Sequence, residues 1–205
     1  MDKRKRIAIY GGTFDPVHVG HVEVAKRVSE LFEMDELLFV PAQVAPHKLS
    51  SDVTPALHRH AMLALATQEY DRLCVSTFEI EAPNRRYTVD TLAHFAAEYG
   101  TFSDLFFVMG ADSWAEITTW REWERLLAMV NHIVVTRPGY EVAVGTGSRS
   151  CPVELVDLRG STAMPPIVKD AKGKVFISDV VELEVSATEI RRAARANRLD
   201  QTFVP

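Results

Sequence analysis

The sequence has little cysteine and no excess of positive charge, and each shortage excludes a class of protein. Its 205 residues include two cysteines, Cys74 and Cys151, which lie far apart and form no CxxC pair. This usage argues against a disulfide framework and against a cysteine-bound zinc, and it is typical of a reducing cytosol. The net charge of −5 argues against a general nucleic-acid binder, because such proteins usually carry a basic face.

The sequence also has no segment typical of a membrane or secreted protein. No apolar run approaches the roughly 20 residues that a membrane-spanning helix needs. No signal peptide precedes the first predicted strand. The basic run 3–6 is short, and we interpret it as a solvated terminus. The expectation is a cytoplasmic protein that contacts neither membrane nor nucleic acid.

Apolar runs alternate with helical patterns along most of the chain. Hydrophobic residues make up 47% of the sequence, which is enough for an ordinary core. Strands are predicted at 6–10, 36–41, 73–80, 104–109 and 132–137. Apolar residues recur with a helical period in 22–32, 57–65 and 89–99. This alternation predicts an α/β fold, namely a Rossmann-like, doubly wound parallel sheet with helices on both faces.

The last third of the chain is less regular. Turn residues are frequent in 138–173, which we interpret as a loop-rich insertion, with further short strands at 153–158 and 175–180. A small C-terminal helical part is predicted over 186–205. It begins with Ser186 and Glu189 in the S-x-x-E form of a capping box. The whole chain, 1–205, is expected to form a single domain.

The most informative segment follows the first predicted strand and reads GGTFDPVHVGH over 11–21. Glycines allow the backbone to approach a ligand closely. The start of a helix offers unpaired N–H groups that attract anions such as a polyphosphate. The segment is neither a GxxxxGK(S/T) loop nor a GxGxxG turn.

His18 and His21 lie three residues apart and would share one face of that helix. Two readings stay open beside a role in phosphate binding: a metal pair, or two ordinary histidines. A metal site needs a third and a fourth ligand, and the sequence offers no obvious partner motif. Asp15 is expected to shape the turn rather than to act as a base.

Two motifs together resemble a known family. The segment 11–21 is similar to the opening motif of the HxGH-class nucleotidyltransferases. Val185–Arg191 is similar to their second motif, I/V-S-S-T-x-I-R, with Ala187 where a second serine is common. Intermediate landmarks resemble those of bacterial nicotinate-nucleotide adenylyltransferases: Pro46-His47-Lys48, Tyr87 to Leu92, Gly110-Ala111-Asp112 with Trp120, and Arg137-Pro138-Gly139. Members usually continue beyond a Val-Pro pair with a further helix, whereas this chain stops at Pro205.

The resemblance implies transfer of the adenylyl group of ATP to nicotinate mononucleotide, and it implies roles for particular residues. The implied catalytic residues are His18 and His21. The implied ATP-binding residues are Gly11, Gly12, Thr13, Phe14, His18, His21, Lys48, Gly110, Asp112, Ser186, Thr188 and Arg191. The implied nicotinate-nucleotide-binding residues are His47, Tyr87, Thr88, Trp120 and Arg137. Mg²⁺ would arrive with ATP, and no metal site made by the protein itself is expected.

Other functions stay open at this point. One is another HxGH-class transferase that acts on a phosphopantetheine or glycerol-phosphate acceptor. A second is a non-catalytic nucleotide-binding protein. The partners implied by the favoured reading are ATP and nicotinate mononucleotide, and a homo-oligomer is left open.

Overall fold

A computed structural model describes residues 4–43, 53–82, 86–136, 153–161, 172–179, 185–198 and 205. Within these ranges the strands form one sheet in the order β3-β2-β1-β4-β5-β7-β6, and all paired strands run parallel. The strands are β1 Lys5–Gly12, β2 Glu36–Pro41, β3 Leu73–Val75, β4 Ser103–Gly110, β5 Asn131–Val135, β6 Glu154–Asp157 and β7 Lys174–Ser178. The predicted Rossmann-like, doubly wound sheet is confirmed.

Helices cover both faces of the sheet. They are α1 Val19–Leu31, α2 Ala56–Thr67, α3 Thr88–Tyr99, α4 Ala111–Ala115, α5 Trp123–Met129 and α6 Ala187–Arg195. On one face, Phe32 and Leu63 pack against strand residues such as Phe106. On the other face, Leu92 and Leu126 pack against strand residues such as Phe107. The predicted strands are therefore apolar on both sides because both sides are covered.

The topology determines which end of the sheet can bind a ligand. β1 lies between β2 and β4, so the chain leaves β1 toward one side of the sheet and later returns to build the other side. In such sheets the crevice outside the carboxyl ends of the strands at this switch is the usual ligand site. β1 ends at Gly12 and β4 ends at Gly110, so both glycine-containing motifs reach that crevice.

Two of the five main predicted strands extend past the carboxyl end of the observed strand. The strand predicted at 73–80 ends at Val75, because the following residues turn: the Ser76 hydroxyl oxygen accepts a hydrogen bond from the Phe78 N–H, and the Thr77 carbonyl accepts one from the Glu81 N–H. The strand predicted at 132–137 ends at Val135, although the Thr136 N–H still donates to the Ser178 carbonyl at 2.8 Å. β6 and β7 confirm the short strands predicted near 153–158 and 175–180.

Candidate active site

The glycine turn after β1 has no room for side chains. A Cβ on Gly11 would lie 3.1 Å from the Phe107 ring, and one on Gly12 would lie 2.9 Å from the Phe14 ring. Phe14 itself has a φ of 50°, in the left-handed region. Its ring is buried edge-on against Tyr10, His21 and Phe39 at centroid distances of 5.1 to 5.4 Å. The two glycines therefore let the backbone of the turn lie against an aromatic cluster, with their N–H groups at the end of the sheet.

His18 and His21 stack on each other at the start of α1. Their ring centroids are 3.6 Å apart and their planes differ by 25°. The His18 N–H donates to His21 Nδ1 at 3.2 Å. Because Nδ1 of His21 accepts this bond, the neutral ring carries its proton on Nε2, which makes Nε2 a donor. The two rings lie together as predicted, although only His21 is within α1 and His18 is the N-cap that precedes it. The geometry assigns one donor atom to the pair.

Burial decides the charge of His21 in the free protein. Desolvation, followed by the nearby His18, lowers the pKa of His21 from 6.5 to about 3. The neutral ring is therefore the state present at neutral pH before a ligand binds. A phosphate anion beside Nε2 would raise this pKa, because a negative neighbour stabilises the imidazolium form.

Gly20, inside the H-x-G-H motif, is a position that the sequence analysis did not assign. A Cβ there would lie 3.1 Å from Nδ1 and 3.2 Å from Cε1 of His18. The glycine thus gives the His18 ring space to lie across the first turn of α1. The signal was present in the motif, because a glycine in the first turn of a helix is unfavourable unless something packs there.

The start of α6 faces the same cleft as the two histidines. Ser186 caps α6, and its hydroxyl oxygen accepts a hydrogen bond from the Glu189 N–H at 3.4 Å. The cleft has a volume of about 670 Å³, which is in the range of small-molecule sites. The described residues that line it come from five parts of the chain: Tyr10, Gly11, Gly12, Phe14, His18, Gly20, His21, Val24, Gly110, Ala111, Asp112, Ser113, Val135, Thr136, Val185, Ser186 and Ala187. The first and last motifs therefore meet around one space.

Arg191 joins the two motifs by direct hydrogen bonds. Its Nη1 donates to the Asp15 carbonyl, and its Nη2 donates to the Thr188 hydroxyl at 3.2 Å. Thr13 is likewise held through its carbonyl, which accepts from Arg59 Nη1 at 2.5 Å. Thr13, Thr188 and Arg191 are therefore not among the residues that line the cleft. Their contact with ATP stays a prediction.

Gly110 and Asp112 line the same cleft as the histidines. Asp112 Oδ1 accepts from the Ser113 N–H at 2.9 Å, and a Cβ on Gly110 would approach that oxygen to 2.6 Å. The Asp112 carboxylate therefore folds back over the end of β4, exposed to the cleft. Burial, and secondarily Asp112, raises the pKa of Tyr10 far above its ordinary value, so its hydroxyl stays protonated.

The predicted acceptor residues lie on two neighbouring segments. Tyr87 caps α3, and its N–H donates to Asp90 Oδ2 at 3.3 Å. The Arg121 guanidinium lies 4.7 Å from the Tyr87 ring centroid, which brings the Trp120–Arg121 segment next to the start of α3. Trp120 is half-buried and meets the Phe107 ring edge-on at 6.4 Å. His47, Lys48 and Arg137 lie outside the described residues.

Tyr10, Val135 and Thr136 line the cleft and were not singled out from the sequence. Each stands at or near the carboxyl end of a strand, and that position was the available signal. Within the described ranges, no three His, Cys, Asp or Glu side chains group closely enough to hold a metal ion. No helix in those ranges is long and apolar enough to cross a membrane.

Comparisons with known proteins bear on this site. Residues 9–193 match the family model described as cytidylyltransferase-like. A protein of Thermoanaerobacter sp. named "Probable nicotinate-nucleotide adenylyltransferase" is 43% identical over all of this chain and 90% of its own length. One of the same name from Acidothermus cellulolyticus is 36% identical over 99% of this chain and 89% of its own length.

Solved structures share the fold at lower identity. The nicotinic acid mononucleotide adenylyltransferase of Plasmodium falciparum, solved with APC, has a TM-score of 0.67 and 19% identity, covering 98% of this chain and 90% of its own. The same enzyme solved with NaAD has a TM-score of 0.65 and 22% identity, covering 92% and 83%. At this identity the likeness shows the fold.

Proposed function

The chain belongs to the cytidylyltransferase-like family and, within it, to the nicotinate-nucleotide adenylyltransferases, and on that premise we propose that it transfers the adenylyl group of ATP to nicotinate mononucleotide. The products are deamido-NAD and pyrophosphate, and the reaction is a step of NAD biosynthesis. The observation that carries the proposal is the meeting of His18, His21 and the start of α6 around one cleft.

The proposed reaction is an in-line displacement with no covalent enzyme intermediate. A phosphate oxygen of the mononucleotide attacks the α-phosphorus of ATP, a new P–O bond forms, and the bond to pyrophosphate breaks. Such chemistry depends on positioning and on neutralising charge in the transition state. His21 Nε2–H is the donor best placed for a phosphate oxygen, since its other ring nitrogen is occupied by the His18 N–H.

The remaining ATP contacts are proposed from the family motifs and from the cleft. The N–H groups of Gly11 and Gly12 and the start of α6 offer donors to phosphate oxygens. The carboxylate of Asp112, which lines the cleft just after β4, is proposed to accept hydrogen bonds from ribose hydroxyls. Mg²⁺ is proposed to enter with ATP and to be held mainly by its phosphates, as is usual for this ion.

The acceptor half-site is proposed at the start of α3. The free N–H groups of its first turn suit the nicotinate carboxylate. Tyr87 and Thr88 lie there, and Trp120 offers an aromatic face nearby. His47 and Arg137 complete this proposal from the sequence. A single nucleotidyltransferase domain, with 138–173 as an insertion, and a cytoplasmic location are proposed on the same sequence grounds.

Pyrophosphate release with a panel of acceptors tests this function. Purified protein with ATP and Mg²⁺ is expected to turn over nicotinate mononucleotide in preference to nicotinamide mononucleotide, because only the former presents a carboxylate to α3. Addition of EDTA is expected to stop turnover. A preference for phosphopantetheine or glycerol phosphate would replace the acceptor. ATP binding in a calorimeter without turnover on any acceptor would replace the proposed enzyme with a nucleotide-binding protein.

A further inference from the structure

Arg59 connects three separate segments of the site from within the protein. It belongs to α2, and its side chain is fully buried. Its guanidinium donates to the Thr13 carbonyl at 2.5 Å, to the Ala42 and Gln43 carbonyls at 2.5 and 3.3 Å, and to the Thr54 carbonyl at 2.8 Å. The planar fork of an arginine can serve several acceptors at once in fixed directions. One side chain therefore holds the glycine turn against the segment that follows β2.

Two buried or half-buried carboxylates partly offset the cost of burying this charge, although burial still lowers the pKa of Arg59. Asp15 and Glu79 both interact favourably with the Arg59 guanidinium. Asp15 is 5% exposed, and its Oδ2 accepts from the Thr54 N–H at 3.3 Å. A buried charge costs stability unless other groups compensate it. Here the guanidinium is hydrogen-bonded to four backbone carbonyls, and the two carboxylates favour its charged form. Arg59 is thus a buried residue held by several specific contacts, and not a surface arginine in a chance contact.

Gln43 carries the connection onward to the acceptor side. Its Nε2 donates to the Ala82 carbonyl at 2.6 Å and to the Ile80 carbonyl at 3.5 Å. The same loop contains Glu79, whose Oε1 accepts from the Thr91 hydroxyl in α3 at 2.7 Å. Hydrogen bonds at both ends of the loop 79–82, together with its covalent backbone, therefore connect the glycine turn to the first turn of α3.

Ring stacking fixes that loop onto α3. Phe78 lies between the Arg86 guanidinium, 4.1 Å from its centroid, and the parallel His94 ring, at 3.8 Å. Arg86 directly precedes Tyr87, the cap of α3. The loop therefore packs directly on α3. For this reason we expect a displacement at Gln43 to change the position of the acceptor half-site.

We propose that Arg59 and Gln43 form a bridge that fixes the separation between the glycine turn, which holds ATP, and the start of α3, which holds the acceptor. The inference rests on the proposed function. In-line transfer needs the attacking oxygen within about 3–3.5 Å of the phosphorus, and a misplacement of about 1 Å can cost 100-fold in rate. Gln43 is thus a positioning residue: it touches neither half-site's ligand, but it sets their distance.

A split between kcat and KM tests the bridge. Gln43→Met keeps the length of the side chain and removes both donors. Because each half-site keeps its own contacts, KM for ATP and for nicotinate mononucleotide should stay within about twofold, while kcat should fall about tenfold. The matched control is Gln68→Met, an exposed glutamine at the end of α2. A kcat equal to that of the control, or a loss that appears in both KM values instead, overturns the bridge.

A double-mutant cycle tests the path from its other end. Thr91→Val removes the hydroxyl that donates to Glu79 and keeps the side-chain shape. If both residues act through one path, the losses in kcat for Gln43→Met and Thr91→Val will be less than additive in the double variant. Additive losses contradict the inference. Failure of the wild-type protein to release pyrophosphate would instead defeat the proposed function, so the two outcomes are distinct.

Discussion

His21 is the residue on which the chemistry of the site depends most directly. Its Nδ1 accepts from the His18 N–H, and its Nε2 is the remaining donor. A backbone bond therefore selects the useful tautomer, with no carboxylate needed to orient the ring. The stacking of His18 on His21 at 3.6 Å further restricts the ring, so the donor is already oriented before ATP binds.

The first prediction concerns this donor. His21→Ala removes the Nε2–H, and we expect kcat to fall about 100-fold or more, as is usual when a transition-state donor is lost. Circular dichroism and thermal unfolding should show a folded protein. His58→Ala, at an exposed position of α2, is the matched control and should keep wild-type turnover. Near-normal turnover of His21→Ala would remove this residue from the mechanism.

The second prediction concerns stability against pH. Desolvation lowers the pKa of His132 in β5 from 6.5 to about 4. The backbone of Leu126 and Leu127 opposes this shift only in part. Between these values the unfolded chain binds a proton that the folded protein does not bind, so the free energy of unfolding falls as pH falls from 6.5 to 4. The loss from this one group approaches about 3 kcal/mol at pH 4.

Urea unfolding at pH 7, 5.5 and 4 measures this effect. His132→Leu should lose stability less steeply than the wild type over that window, because leucine does not titrate. His58→Leu should keep the wild-type slope. Equal slopes for the wild type and His132→Leu would contradict the account of His132 as a buried neutral base.

At the scale of elements, the start of α1 shows what a sequence can and cannot predict. The motif predicted a glycine turn followed by two histidines on one helix face. The structure confirms the turn and the adjacent rings, but His18 is the N-cap of α1 and only His21 lies in its first turn. The helices α1, α2 and α3 also lie where their apolar period places them. Periodicity worked there because each helix buries one face against the sheet.

Connections between elements were harder to predict. The strand predicted over 73–80 stops at Val75, because the Ser76 side chain supports a turn and the loop then packs on α3. That outcome depends on contacts with residues far along the chain, which a local pattern does not contain. Arg59 was missed for a similar reason, although it shares the buried face of α2 with Leu63 and Ala66, four and seven residues away. A lone arginine on an apolar helical face was the available signal.

The third prediction concerns the first turn of α1. Gly20→Ala places a Cβ about 3.1 Å from His18 Nδ1 and forces the ring to move. Alanine favours helices by up to about 1 kcal/mol over glycine, so the stability should hold or rise. Turnover should fall about tenfold or more, since the stacked pair no longer has its geometry. Wild-type turnover with unchanged stability would show that the glycine is not needed for the site.

At the scale of the whole molecule, the fold joins residues that are 176 positions apart, because Arg191 Nη1 donates to the Asp15 carbonyl. The carboxyl end of the sheet collects the first motif from β1 and the last motif from the segment after β7. The switch in strand order between β1 and β4 opens the cleft that both motifs face. The site is thus a property of the complete sheet, and no single segment contains it.

The fourth prediction tests this joint. Arg191→Gln removes a charged donor from the Asp15 carbonyl and from the Thr188 hydroxyl. A hydrogen bond to a charged group contributes about 1.5–3 kcal/mol to the folded structure. Without these bonds the glycine turn is held less firmly against α6, so we expect the KM for ATP to rise about tenfold. Arg192→Gln, on the exposed side of the same helix, is the control and should leave KM unchanged. Equal KM values for the two variants would show that the joint does not support ATP binding.

Nuclear magnetic resonance of the backbone amides, during titration with a non-hydrolysable ATP analogue and Mg²⁺, measures whether both ends of the chain bind a single triphosphate. We expect the amide signals of Gly11, Gly12, His18 and His21 to shift together with those of Val185, Ser186 and Ala187. Both groups should saturate at the same analogue concentration. Shifts confined to one of these groups, or two groups that saturate at different concentrations, would contradict the claim that both ends of the chain bind a single triphosphate.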